Sequence, residues 1–383
     1  MSHPNELLHY RGANFLRQRL VLSTLSGRPI KIDCIRDADD DPGLKEFEVS
    51  LLKLVDEITN GSRVQINETG TELLFVPGML SGGSVEWECG VQRCISYYLE
   101  LLLYLAPFVK TPFRVLLRGV TNAQNQPSVD TLRAAWCPVM RRFLLDDEGL
   151  EIKVTKRGLF PDGGGEVVFG CPLCRQSLRP VQLASAGKIR RIRGVAFACR
   201  VSPLLTTRMI ESAKRILTEF LSDVYFSADH RKGENAGRSP GFGMVITAET
   251  TEGGVLVAEA MSNPKGDGLE PLTAEDVGSE AARRLLQQVY NGGCVDWTAQ
   301  ALSTLYMSLG QKDVSSLVSG PLSTYSVYML RHIRDFLDVT FKIESHSPTA
   351  NQEEDKTLRL GSEDKVKLIC VGVGYSNLSK MML

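Results

Sequence analysis

The sequence predicts an α+β fold in which a larger domain is interrupted by a smaller α/β one. Three observations carry this. Short apolar strands alternate with amphipathic helices over most of the chain, the pattern of α/β and α+β proteins. The stretch from Gly187 to about Glu270 has a strand–helix–strand–strand run of its own. After it, the earlier theme resumes.

Taken in order, helix Gln18 to Leu25 follows a short loop, and Ile30 to Ile35 reads as a strand. Lys45 to Thr59 is a helix with Leu51, Leu52 and Val55 inward, followed by strand Leu73 to Val76 and a long helix from about Cys89 to Ala106. Strand Val115 to Leu117 leads to helix Thr131 to Leu144. Asp130 serves there as N-cap, because its carboxylate can accept from the first free helix N–H groups. Strands Leu150 to Val154 and Val167 to Phe169 close this part. The inserted run comprises Val195 to Val201, helix Thr206 to Leu221, Met244 to Ala248 and Val255 to Ala260. Helices Gly278 to Tyr290 and Val295 to Ser308, strand Val314 to Val318, helix Ser323 to Leu337 and strands Val339 to Ile343 and Val366 to Val373 return to the first theme. The polar stretch Ser347 to Asp364 reads as a surface excursion. Domain boundaries are expected at 1–186, 187–275 and 276–383.

A chain of 383 residues, 43% hydrophobic and 23% charged, has material for a sizeable core. Its 44 Lys plus Arg against 45 Asp plus Glu leave a net charge of -1, which excludes a wholly basic nucleic-acid coat but not local basic patches. No secretory signal pattern is expected, and the most apolar segment, Ile95 to Phe108, is broken by Glu100 and too short for a bilayer. Nine scattered cysteines point to reduced thiols inside a cell. Cys171 and Cys174 form one C-x-x-C without a second pair, so no metal site is expected. The N-x-S/T sequons at Asn60, Asn67 and Asn377 carry little meaning without secretion.

Several Gly- and Asn-centred segments recur in a recognisable order: Arg118-Gly-Val-Thr-Asn122, Arg157-Gly-Leu-Phe-Pro161 running into Gly163-Gly-Gly165, Gly241-Phe-Gly243 with Ala248-Glu-Thr250, and Asn291-Gly-Gly-Cys-Val-Asp296. Each alone is a loop more often than a phosphate cradle. Together, over nearly the whole chain, they resemble the RNA 3'-terminal phosphate cyclase family, and within it the cyclase-like branch. The resemblance implies a larger domain of three repeated βαβαββ-type units carrying a smaller insert. Active members adenylate a histidine with ATP, pass AMP to an RNA 3'-phosphate and close a 2',3'-cyclic phosphate.

Four departures set this chain apart from the active pattern. Matching the segment after Gly320-Pro321 places Tyr325 at the histidine position, and a phenol with a reference pKa of about 10 is a reluctant nucleophile at neutral pH. His332 lies seven positions on, about 10 Å along a helix, and reads as a surface or packing histidine. The nucleotide loop of the active enzymes has become Arg11-Gly-Ala-Asn-Phe-Leu-Arg-Gln18, where Phe15, Leu16 and Arg17 bring side chains into a backbone cradle. The Asp-Gln pair after Gly-Gly-x-Val-Asp is Ala301-Leu302. The basic segment is Lys45-Glu-Phe-Glu48 beside four acids between Asp37 and Asp41, which would repel phosphate. No catalytic residue and no cofactor are therefore assigned.

What remains is a basic cluster, Lys188, Arg190, Arg191 and Arg193, near Ile189 and Ile192. It suits either a phosphate backbone or a solvated edge strand. Arg36 and Arg157, with Lys156, form a second candidate anion site beside Gly163 to Gly165, opposed by Asp162. The resemblance further implies nucleolar residence within the nucleus, the small-subunit processome and pre-rRNA as partners, early processing toward small-subunit rRNA, and a nucleolar GTPase whose nucleotide exchange the chain promotes. No membrane role is expected. The rival readings are a pre-rRNA endonuclease using Arg334, Asp335 and a nearby lysine, and a residual nucleotidyl transferase acting through Tyr325.

Overall fold

The computed structural model describes residues 6–174, 176–264, 268, 270–345 and 364–375. The expected excursion at Ser347 to Asp364, apart from Asp364, and the sequon at Asn377 lie outside them.

The chain begins with β1 (Leu8–Arg11), α1 (Leu16–Ser26), β2 (Ile30–Asp33), α2 (Glu46–Ile58), β3 (Thr59–Asn60), β4 (Arg63–Ile66), β5 (Leu73–Val76) and β6 (Met79–Leu80). It continues with β7 (Gly82–Glu88), α3 (Ile95–Leu105), β8 (Thr111–Gly119), α4 (Val129–Phe143), β9 (Glu151–Lys156), β10 (Gly165–Cys171) and β11 (Gln182–Leu183). Next come β12 (Ile189–Cys199), α5 (Leu204–Phe220), β13 (Val224–Arg231), β14 (Gly241–Thr250), β15 (Val255–Met261) and α6 (Ala274–Asn291). Last are α7 (Gln300–Leu309), β16 (Val314–Ser319), α8 (Thr324–Leu337), β17 (Lys342–Ser345) and β18 (Val366–Val371).

Three sheets share one pairing scheme, with orders β1-β2-β5-β4, β7-β8-β10-β9 and β11-β16-β18-β17. In each, the first two strands are parallel and the remaining pairs antiparallel. A fourth sheet, β13-β12-β14-β15, is built from the run between β11 and α7. The class is α+β, as the alternation of strands and helices predicts.

Helices α1, α3 and α7 are buried around almost their whole circumference, which requires a position inside the molecule. Helices α2, α4 and α8 bury one face only. In α2, Leu51, Leu52, Val55 and Ile58 face the core, and Glu48 accepts from the Lys45 N–H at 2.9 Å to close the first turn. The cap of α4 is Ser128 rather than Asp130: the Ser128 hydroxyl accepts from the Thr131 N–H at 3.2 Å. Asp130 instead sits in the first turn and is consumed by ion pairs.

One apolar cluster runs through the three similar sheets and their helices. A second lies beneath the fourth sheet, where Ile192, Phe226, Ile246 and Leu256 meet Met209 and Leu217 of α5. Val277, Ala281 and Leu285 of α6 join it. The boundary expected between 275 and 276 falls inside this helix, and we propose counting α6 with the smaller unit.

Candidate functional site

The N-terminus of α1 meets α3 and α8, which brings the loop before α1 beside Tyr325. Phe15 precedes α1 in a left-handed conformation, φ 60°, which only glycine adopts without strain, and no side chain caps the helix. Its ring stacks on Tyr328 with centroids 4.1 Å apart and leans on Tyr325 at 5.9 Å. The phenol of Tyr325 donates to Glu100 Oε1 at 2.5 Å. Arg17 forms an ion pair with the other oxygen of Glu100, and its guanidinium lies over the Tyr97 ring. Burial, reinforced by the Glu100 carboxylate, pushes the Tyr325 phenol far above its usual range. Such a group holds its proton and is a poor nucleophile.

Beside it, Gln18 bridges two residues of α8. Its amide donates to the Tyr325 carbonyl at 2.8 Å, and its oxygen lies 2.9 Å from His332 Nδ1. His332 is buried, as a packing histidine should be. Burial and the neighbouring Arg19 push its imidazole down to about 3, so the ring is neutral. Gln300 ties the start of α8 to the core through Ser319, Pro321, Ser323 and Ser326. Ala301 and Leu302 are buried in α7 and offer no polar atom to a phosphate.

The expected anion site beside Gly163 to Gly165 is not open. Arg157 is 3% exposed, bonded to Asn122 Oδ1 at 3.0 Å, ion-paired with Asp130, bound to Asp229 at 3.2 Å, and stacked 4.3 Å from Phe197. Its charge is used inside the protein, because a buried guanidinium must be matched by carboxylates. Arg36 likewise lies bidentate on Glu48, with both contacts at 2.7 Å. The three glycines pack closely against neighbouring chain: a Cβ on Gly165 would meet Thr121 Cγ2 at 2.6 Å and the Gly158 nitrogen at 2.7 Å.

The basic cluster divides. Arg191 pairs with Glu249 at 2.7 Å and Arg193 with Asp223 at 2.8 Å, whereas Lys188 and Arg190 are exposed and make no ion pair among the described residues. Cys171 and Cys174 are free thiols, and among the described residues no group of three His, Cys, Asp or Glu could hold a metal. Among those residues no helix is long and apolar enough to cross a membrane.

Sequence reasoning missed a cleft of about 660 Å³ between the loop before α4 and the β15–α6 edge. Trp297 stands exposed at it, and Glu259 accepts from the Ser128 N–H at 3.0 Å. Its walls come from segments more than a hundred residues apart, so no local motif announces it.

Fold and site together define an α+β protein with four four-stranded sheets among the described residues, and a half-buried tyrosine bonded to a buried carboxylate where three helices converge. The RNA 3'-terminal phosphate cyclase model matches residues 8–343. The chain is 54% identical over 375 residues to the RNA 3'-terminal phosphate cyclase-like protein of Homo sapiens, covering 98% of each. It is 48% identical over 385 residues to the probable RNA 3'-terminal phosphate cyclase-like protein of Drosophila melanogaster, covering 100% and 99%. It is 38% identical over 378 residues to the rRNA processing protein rcl1 of Schizosaccharomyces pombe, covering 98% of each. The chain belongs to the RNA 3'-terminal phosphate cyclase family.

Proposed function

We propose that this chain is a non-catalytic member of the family, without RNA cyclase activity, that acts in pre-rRNA processing. The observation that carries the loss of chemistry is the Tyr325–Glu100–Arg17 arrangement. The residue matching the nucleophilic histidine is a phenol locked on a carboxylate, and Phe15 and Arg17 occupy the space beside it. The name of the fission-yeast relative supports the processing role. The finer reading is an assembly factor of the nucleolar small-subunit processome, required for early cleavages toward small-subunit rRNA. It binds a nucleolar GTPase there and promotes its nucleotide exchange.

Incubation with α-labelled ATP and a 3'-phosphorylated RNA tests the first part: neither covalent AMP nor cyclic ends are expected, and either would refute it. Depletion and rescue test the second, with accumulation of unprocessed pre-rRNA expected on depletion. Copurification with a GTPase, and faster release of labelled GDP from it, test the third.

A further inference from the structure

We propose that the open end of the fourth sheet binds single-stranded RNA, with Tyr225 stacking a base and the β12 cations holding the phosphates. The proposal rests on the pre-rRNA reading above and names the surface that would serve it.

The register of the sheet assembles the site. Tyr225 on β13 lies directly opposite Arg193 on β12, and Arg193 lies opposite Thr247 on β14. Arg191, two residues along β12, pairs with Glu249 and shares that face. The opposite face carries Ile192, Phe226 and Ala248 into the second apolar core. Tyr225 therefore cannot be a core residue: its ring is 62% exposed on the edge strand, the most exposed aromatic side chain among the described residues. At the other end of the same face, Phe197 is covered by the Arg157 guanidinium at 4.3 Å. The platform is thus open only over the stretch that bears the cations.

A flat ring beside fixed positive charge matches an unpaired nucleotide. Stacking on an exposed aromatic accepts any base, and arginine suits the phosphate that follows it. A duplex offers no such face, because its bases are already stacked. Asp223 and Glu249 answer two of the four cations, and Lys188 and Arg190 stay without an ion pair among the described residues at the entrance. Ion pairs this exposed are weak and screened by salt, so a polyanion can displace them.

The test is fluorescence anisotropy with the full chain and a labelled single-stranded oligouridylate, beside a labelled RNA duplex. Wild type is expected to bind the single strand more tightly than the duplex. Tyr225→Ala should weaken the single-strand complex at least fivefold or so, and Tyr225→Phe should keep it, since stacking needs the ring and not the hydroxyl. Replacing Lys188 and Arg190 by Ala should flatten the dependence of log affinity on log salt by roughly 0.7 for each cation removed. No binding, a preference for the duplex, or affinity unchanged in Tyr225→Ala would overturn the platform. Tyr225→Ala in the depletion and rescue assay separates the two ideas. Rescue by a wild-type chain that binds no RNA removes the platform alone. Tyr225-dependent binding without any processing defect on depletion removes the processing reading alone.

Discussion

Tyr325 on α8 donates to Glu100 on α3 at 2.5 Å, and Arg17 on α1 holds the other carboxylate oxygen. Three helices distant in sequence are joined through one carboxylate that is almost wholly buried. A hydrogen bond to a charged group contributes about 1.5–3 kcal/mol. Tyr325→Phe should therefore lower unfolding stability by about that much in urea titration, the Tyr104 hydroxyl at 3.4 Å giving Glu100 only a long contact in compensation. In a non-catalytic chain the same variant should still support pre-rRNA processing in a depletion and rescue assay. Normal stability combined with lost processing would reverse the reading and make the phenol a reacting group.

His332 gives a dependence on pH. Its folded pKa is depressed to about 3 by burial and Arg19, below the ordinary value of about 6.5 in an unfolded chain. Between these values the unfolded state binds a proton that the native state does not. Stability from this residue is therefore complete above about pH 6.5 and is lost as pH falls, with a slope approaching about 1.4 kcal/mol per pH unit. His332→Asn should show a shallower loss than wild type between about pH 6 and 4 in urea midpoints measured across that range. Parallel curves would mean that the ring is protonated in the folded protein.

Much of this architecture is legible in the sequence because one-faced helices write their period into it. The apolar face of α2 is read correctly from Leu51, Leu52 and Val55, all of them buried. Strands such as β7, with its Gly-Gly-Ser-Val-Glu-Trp-Glu sequence, and the edge strand β13 show no clean apolar run and escape notice. The site was half visible. Phe15, Arg17 and Tyr325 stand out because they depart from a family pattern. Glu100, read only as an interruption of an apolar segment, becomes the centre of the site through partners 83 and 225 residues away. Arg157 failed in the opposite direction. Its charge suggested an anion site, but Asp130 and Asp229, which neutralise it, come from elements that local reading cannot bring together.

That pairing carries a prediction of its own. Burial alone would raise the Asp130 carboxyl, but Arg157 holds it below the usual carboxylate range. Arg157→Met fills the space without the charge and leaves Asp130, 3% exposed, with the neutral Asn122 and the half-exposed Arg133 as partners. Breaking one side of a buried pair costs about 3–5 kcal/mol. A loss of that size in urea unfolding is expected, and Arg157→Met with Asp130→Asn should recover part of it. A loss below about 1 kcal/mol, typical of exposed ion pairs, would show that the guanidinium faces water.

The glycines after Phe160-Pro161 distinguish a packing role from a ligand-binding one. A Cβ on Gly165 would lie 2.6 Å from Thr121 Cγ2, 2.7 Å from the Gly158 nitrogen and 3.0 Å from the Gly119 carbonyl oxygen. Two of these three neighbours are backbone, and Gly158 N already donates to Thr121 Oγ1 at 3.2 Å, so the clash cannot be relieved by turning one side chain. Overpacking of this kind costs typically about 1–3 kcal/mol. Gly165→Ala should therefore lower the urea midpoint of the whole chain, with or without added RNA or nucleotide. If the glycine were instead needed to admit a phosphate, the substitution would leave unfolding unchanged and reduce only ligand affinity.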